Sequence, residues 1–486
     1  MNNRKTWLKN ETIKKANFDV EGQVKSMSED KKVEKKIYYR FACALILIAA
    51  ATGMFAWVWI RFISVHNQTM HLTGLGNIGM ALGIYAALYV LAGRRFRAFT
   101  IGNERKASIV AAQIVTLMVT DVVEIFISLA ILGEFRFFWM ITWRYLLLFC
   151  VQAVVNSLLT IIMVNEYRRV FPPYQILEIY GEIENDLSEK MNNVFYKFHV
   201  RDKVHYTASN IGERIQHYDA ILINDIPAVQ KNDIIKSCFE QDKRVYFTPK
   251  ISDILVKSSS DVILFDTPVC LCRNDGITSA ELFCKRGFDL IFSLLALILL
   301  SPVFLITAIA IKLEDGGPVF YRQERCTIGG KHFMIIKFRS MIVNAEADGR
   351  ARPAGEKDDR ITKVGRVIRA ARIDELPQLI NIVKGDMSVV GPRPERTEHV
   401  RIYTEEIPEF PFRNKVKGGL TGYAQVYGKY NTSALDKLKM DLQYITNFSL
   451  LLDFQIIMET LKILFSKEST EGFSETKSAE MHDHKQ

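Results

Sequence analysis

Asp374 and Glu375 are adjacent carboxylates with Arg369 before them and Arg393, set between Pro392 and Pro394, after them. A carboxylate can attack phosphorus to form an acyl phosphate, while arginines and Mg²⁺ neutralise the oxygens of a diphosphate. A structural role fits the same spacing. Leu376, Leu379, Ile380 and Val383 recur at helical intervals, Pro377 suits a first turn and Gly385 suits the residue after a helix end. Asp374 thus stands at a helix start, where it could simply be an N-cap. Spacing alone leaves both readings open. Further phosphate-suited cations lie upstream: Lys337 and Arg339 follow the strand-like 333–336, and Arg360, Lys363, Arg366 and Arg369 follow the acids Glu356, Asp358 and Asp359.

Such chemistry must be held somewhere, and the apolar runs say where. Residues 41–60 and 72–92 carry no charge, nor does 145–164, and each has about the 20 residues needed to cross a bilayer. Residues 109–132 are long enough but contain Asp121 and Glu124, so this span is expected inside a bundle; the two acids read either as bundle packing or as a lipid or proton path. Lys31, Lys32, Lys35, Lys36 and Arg40 precede the first span, while Arg94, Arg95, Arg97, Arg105 and Lys106 join the second to the third. The alternate connections are poor in cations, which puts both ends of the four-span unit, and everything after Asn165, in the cytoplasm.

A fifth apolar run, 290–311, has Ser301 and Pro302 near its centre and Lys285, Arg286, Asp289 and Lys312 at its flanks. Proline removes a donor and clashes with the preceding turn, so the helix is expected to break there. A helix that dips in, bends and returns keeps the C-terminal block in the cytoplasm; a kinked crossing is the alternative.

Between these membrane parts, 172–276 reads as an α/β domain. Runs at 175–180, 220–224, 244–248 and 261–265 read as buried strands and 233–240 as helix, a βαβ alternation that implies a parallel sheet. After the first strand comes Tyr180-Gly181-Glu182, with no glycine fingerprint for a dinucleotide. A packing, regulatory or oligomerisation role is expected. The chain of 486 residues has a formal charge of +9, which suits anionic headgroups or phosphorylated ligands, and the apolar runs favour a membrane over nucleic acid. Its seven cysteines are scattered, and Cys270 with Cys272 lacks the second pair that a zinc site needs.

Residues 285–465 closely resemble the catalytic domain of the bacterial sugar transferases, the monotopic phosphoglycosyl transferases. The resemblance rests on Lys285-Arg286, Ser301-Pro302, 317–323 (GPVFYRQ), 337–341 (KFRSM), 374–378 (DELPQ) and 385–394 (GDMSVVGPRP), in that order. The spans and middle domain, with Asp266-Thr267-Pro268 and Arg273-Asn274, resemble the large members, of the undecaprenyl-phosphate galactose phosphotransferase type. The resemblance implies transfer of a sugar-1-phosphate from a UDP-sugar to undecaprenyl phosphate, in two steps, as the initiating step of exopolysaccharide, capsule or O-antigen synthesis. The family nucleophile falls on Asp374; Glu375 holds Mg²⁺ or tunes the nucleophile, both acids being candidate metal ligands. Arg369, Arg393, Lys337, Arg339, Arg360, Pro392 and Pro394 are implied at the substrate, and Lys285, Arg286, Ser301 and Pro302 at the lipid. Where the family usually has a proline, this chain has Gly418.

The expected fold is thus a membrane protein with a four-helix transmembrane bundle, a Rossmann-like middle domain and an α-rich mixed catalytic domain with a re-entrant helix. Expected boundaries are an N-terminal tail 1–36, spans 37–166, the middle domain 172–276, a catalytic domain 280–466 with its re-entrant helix 288–312, and a polar tail 467–486. Expected partners are the UDP-sugar, undecaprenyl phosphate, membrane lipids and a second copy of the chain through the membrane and middle domains, at the cytoplasmic face of a bacterial inner membrane. The competing readings are a non-catalytic scaffold of polysaccharide assembly and a lipid diphosphate hydrolase.

Overall fold

The computed structural model describes residues 34–63, 74–182, 185–272, 278–343, 345, 358–429 and 432–464. Lys31, Lys32, Arg273, Asn274, Glu356 and the tail 467–486 lie outside them. The chain divides into two compact units, Met1–Thr248 and Pro249–Gln486.

In the first unit, helices α1 (Glu34–Ile63), α2 (Leu75–Arg95), α3 (Lys106–Leu132) and α4 (Phe138–Val170) are each long and apolar enough to cross a membrane. They contain the expected spans 41–60, 109–132 and 145–164, and α2 contains 75–92 of the expected span 72–92. Their apolar side chains divide by position: Phe55, Trp59, Tyr85 and Tyr145 are buried among the helices, with the Phe55 and Tyr85 rings stacked at 4.1 Å, while Trp57, Leu91, Phe126 and Trp139 stay exposed. Asp121 and Glu124 face inward and are buried. In hydrocarbon, carboxyl groups are tolerated only on that face.

Helix α4 leads through Phe171 into a four-stranded sheet. Its strands are β1 (Tyr174–Tyr180), β2 (Phe198–His205), β3 (Ala220–Asn224) and β4 (Arg244–Phe247), with α5 (Leu187–Asn192), α6 (Ile211–Ile215) and α7 (Ala228–Glu240) between them. The order is β2-β1-β3-β4 and every pairing is parallel. Side chains alternate between faces: Leu177, Ile179, Ile221 and Ile223 pack with Ile215, Ile234 and Cys238, while Ile176, Val200 and Leu222 pack with Met191. Edge strand β2, FHVRDKVH, was not legible as a strand, because its charges face water.

The second unit opens with α8 (Ile251–Lys257), β5 (Ser260–Leu264) and β6 (Thr267–Leu271). The expected buried strand at 261–265 needs correction. It forms an antiparallel two-stranded hairpin with β6, outside the parallel sheet, and Ile263, Leu264 and Phe265 are exposed. An apolar run signals a strand but not what covers it, and the turn at Phe265-Asp266 sends the chain straight back.

Next, α9 (Ser279–Leu299) and α10 (Ser301–Asp315) meet at 60°. Pro302 sits in the first turn of α10, and Ser301 Oγ donates to Ile298 O at 2.8 Å across the break. Both flanks are anchored in the same unit. At one end Lys285 and Asp289 are buried, Asp289 Oδ1 accepting from Val389 N at 2.9 Å; at the other, Asp315 pairs with Arg339 and Glu314 caps the next helix at Lys363 N, 2.7 Å.

The remaining elements are β7 (Phe320–Cys326), β8 (His332–Phe338), α11 (Lys363–Ala370), α12 (Gln378–Lys384), β9 (Ser388–Val390), α13 (Thr397–Glu406), β10 (Gly419–Thr421), α14 (Tyr423–Tyr427), α15 (Ala434–Thr446) and α16 (Leu450–Leu464). β7 and β8 form an antiparallel pair, and β9 lies parallel to β10. Leu379, Ile382, Val389, Phe410, Leu438, Leu442 and Ile456 share one core.

Candidate active site

Asp374 and Glu375 lie in a short 3₁₀ turn, Ile373–Glu375, between α11 and α12. Arg372 enters the turn at φ +53°, a left-handed conformation unusual for a side chain with a Cβ. This reverses the chain so that the two carboxylates face β8. Asn381 of α12 sets the register: its Oδ1 accepts from Ile336 N at 2.9 Å, and its Nδ2 donates to Met334 O at 2.9 Å. A helix pinned to a strand edge by both halves of one amide places Glu375 beside Lys337.

Glu375 is clamped. Lys337 Nζ donates to its Oε1 at 2.9 Å, Arg393 donates to the same oxygen at 2.8 Å, and Arg372 lies 3.7 Å from Oε2. Burial alone would raise the Glu375 pKa, but Arg393 and Lys337 outweigh it and hold the carboxyl well below the usual range. Lys337 is lowered by its own burial, against the pull of Glu375, and Arg393 is raised by Glu375. Asp374 differs. Burial and then the neighbouring Glu375 charge push its pKa up, against Lys337, Arg369 and Arg393. Two adjacent acids are thus driven apart, one held ionised and one on which the charge is less stable.

The capping alternative is also decided: no side chain caps α12, so Asp374 is not its N-cap. Arg369 closes α11 next to Asp374, near enough to lower its pKa. Arg393 is aimed by its loop. Gly391 N donates to Thr421 O at 2.9 Å, Gly419 N to Pro392 O at 2.9 Å, and buried Arg413 to Arg393 O at 2.9 Å. Arg413 also pairs with Asp441 at 2.7 Å; burial pushes Asp441 up to about 6 despite that arginine. Gly418 packs against Pro394, where an added Cβ would come within 2.5 Å of the ring, and its N–H donates to Thr327 Oγ1 at 3.2 Å. A proline at 418 could not make that bond.

Other expected site residues are used differently. Lys285 Nζ is buried and directs its donors to Asp453 at 2.5 Å, Val390 O at 3.0 Å and Tyr444 OH at 3.2 Å. Arg286 donates to Ile382 O at 2.6 Å and Val383 O at 2.8 Å, binding the open carbonyls at the end of α12. Both side chains thus tie α9 to the elements around it. Arg339 donates to Asp315 and to Pro318 O, the latter at 2.7 Å. Arg360 pairs with Asp358 at 2.7 Å, which leaves Arg369 and Arg393 as the arginines that bracket the acids. Asn381, Arg413, Asp441, Tyr444 and Asp453 were missed; the signal was a lone polar or charged residue on an otherwise apolar helix face.

Among the described residues, no group of three His, Cys, Asp or Glu side chains could hold a metal by itself. Two hard carboxylates beside a cationic rim do fit Mg²⁺, which commonly takes one or two carboxylates and completes its shell with substrate phosphates and water.

Residues 280–467 match the family described as bacterial sugar transferase. Over 187 residues the chain is 46% identical to the UDP-N-acetylgalactosamine-undecaprenyl-phosphate N-acetylgalactosaminephosphotransferase of Aeromonas hydrophila, covering 38% of this chain and 44% of that protein. Over 190 residues it is 42% identical to the UDP-glucose:undecaprenyl-phosphate glucose-1-phosphate transferase of Caulobacter vibrioides, covering 38% of this chain and 71% of that protein. The Klebsiella pneumoniae protein of the latter description is 33% identical over 294 residues, covering 60% of this chain and 62% of that protein. The chain thus spans less than half of the first relative and less than two thirds of the third.

Proposed function

The chain belongs to the bacterial sugar transferase family, and from that premise we propose that it moves a sugar-1-phosphate from a UDP-sugar to undecaprenyl phosphate through a phosphosugar on Asp374. The observation that carries this reading is the division between the acids: Glu375 is neutralised by Lys337 and Arg393, whereas Asp374 has no ion pair among the described residues. An Asp374 oxygen attacks the β-phosphorus of the UDP-sugar, the bond to the bridging oxygen breaks, and UMP leaves with that electron pair. An oxygen of undecaprenyl phosphate then attacks the same phosphorus and the Asp374 carboxylate departs, regenerated. Arg369 and Arg393 are placed to neutralise diphosphate charge, and Glu375 keeps Arg393 and Lys337 in position. Asp374 and Glu375 would hold Mg²⁺, which supplies further charge neutralisation when bound.

The relatives named above act on different sugars, so the sugar is a matter for assay. With a panel of UDP-sugars, UMP release and a lipid diphosphate sugar are expected together. UMP or sugar phosphate without lipid-linked sugar would point to hydrolysis, and neither product to a scaffold. Glu375→Gln keeps a hydrogen-bond acceptor but loses the charge, and should slow transfer about 100-fold, as loss of a supporting charged partner does. EDTA should also stop turnover. Full activity in either experiment would contradict the role given to the acid or the metal.

The bent pair α9 and α10 is proposed to dip into the cytoplasmic leaflet and return. Supporting this, both of its ends are tied into one unit, and Ile291, Leu294, Leu299, Ile306 and Ile309 are exposed along it. With the other cysteines replaced by serine, labels on Cys284 and on Leu313→Cys should be reached from the same side of the membrane; opposite sides would refute the dip. The parallel sheet supports a Rossmann-like reading of the middle domain, in a packing or regulatory role. Its strand order reverses between β1 and β3, where ligands commonly sit. There Asn224 instead donates to Glu178 at 2.8 Å and to Asn185 at 2.7 Å, while Gly181 lies against the Asp225 carbonyl.

A further inference from the structure

The transmembrane bundle carries a polar seam that the proposed transfer does not use. Helix α3 turns Asp121 and Glu124 inward, α2 faces them with Tyr85 and Tyr89, and α4 contributes Gln152 and Asn156; none is more than 3% exposed. The donors along the seam are already directed at partners. Tyr85 OH lies 3.0 Å from Asp121 Oδ1, Gln152 Nε2 donates to Ala51 O at 2.9 Å and to Tyr85 OH at 2.9 Å, and Asn156 Nδ2 donates to Tyr89 OH at 3.1 Å. Among the buried atoms of the bundle left without a hydrogen bond, the Thr52, Thr142 and Thr160 hydroxyls and Trp59 Nε1 could donate. Asp121 Oδ2, Glu124 Oε2 and Asn156 Oδ1 are buried acceptors without a hydrogen bond. Asn156 lies one turn of α4 from Gln152, whose Nε2 donates to the Tyr85 hydroxyl that bonds Asp121.

No lysine, arginine or histidine pairs with either carboxylate among the described residues. A carboxylate at mid-bilayer depth costs roughly 2.5–3.5 kcal/mol or more and persists when it is neutralised. An anionic lipid phosphate would add repulsion to ionised acids. We propose that the bundle binds a small cation, a proton or an alkali-metal ion, at Asp121 and Glu124, with Asn156 Oδ1 as a neutral acceptor in the same seam. The titratable groups facing the acids are Tyr85 and Tyr89 of α2 and Tyr145 of α4; α1 presents the Ala51 carbonyl. Tyrosine hydroxyls stay neutral over the range tested.

The test is thermal unfolding of the full chain in nanodiscs from about pH 6 to about pH 9, for wild type and for the double variant Asp121→Asn/Glu124→Gln, whose amides imitate neutral carboxyls. Wild type should lose midpoint temperature, relative to the double variant, as pH rises and the proton is withdrawn. If sodium chloride restores the alkaline loss and choline chloride does not, the cation is an alkali metal; if neither restores it, the cation is a proton. Equal pH profiles for the two proteins would overturn the proposal. Should the double variant not fold, a wild-type midpoint indifferent to both pH and sodium overturns it instead.

Discussion

Asp374→Asn is expected to abolish formation of both UMP and lipid-linked sugar, lowering the rate by about 10⁴-fold or more, the scale on which removal of a covalent nucleophile acts. The side chain keeps its size and hydrogen-bonding reach but loses the charge and lone-pair reactivity needed to attack phosphorus. The fold should not suffer. Asp374 caps no helix, and its raised pKa means that its ionised form is the less comfortable one in the folded state. The sign of the linkage follows: a carboxyl raised in the folded state costs stability as pH climbs through its range, so the amide should unfold at the same temperature as wild type or above it at neutral pH. For catalysis the direction reverses. The nucleophile must be ionised, so wild-type activity should fall on the acidic side with an inflection above that of an ordinary aspartate. A folded Asp374→Asn enzyme that still released UMP would sink the covalent mechanism.

The largest loss of stability is expected from Lys285→Met. Lys285 and Asp453 are both buried, and Tyr444 OH donates to the other Asp453 oxygen at 2.8 Å. Removing the cation alone leaves a buried carboxylate uncompensated and strips a partner from Val390 O, the residue that leads into the Arg393 loop. Breaking one side of a buried pair costs about 3–5 kcal/mol, whereas replacing both partners by apolar groups is often close to neutral. Lys285→Met should therefore unfold at a clearly lower temperature, and Lys285→Met/Asp453→Leu should recover most of that loss. A single variant of wild-type stability whose only defect was a raised KM for undecaprenyl phosphate would instead return Lys285 to the lipid headgroup.

Local order was largely readable from the chain. Apolar runs of bilayer length, three of them free of charge, located the four spans, Ser301-Pro302 located the bend between α9 and α10, and the alternation of apolar runs located β1, β3 and β4. Each is a short-range signal: a missing amide donor, a period of two, a length matched to hydrocarbon. Asp374 and Glu375 were also evident as a pair, but only the resemblance, not their spacing, told them apart.

What made them unequal is long-range. Lys337 precedes Glu375 by 38 residues and Arg393 follows it by 18, and their convergence on one oxygen depends on Asn381 pinning α12 to β8 and on Arg413 holding the Arg393 loop. The same separation hid the interior partners of Lys285, Arg286 and Arg339: a cation's sequence neighbours do not reveal which buried carbonyl or carboxylate it will meet. Hydrophobic length, proline and periodicity act within a few residues, so the sequence by itself determined the elements and the chemistry available. Pairing of charges acts through space at a few ångströms, so only the tertiary structure decided that Glu375 is neutralised, that Lys285 is interior, and that Asp374 is left without an ion pair.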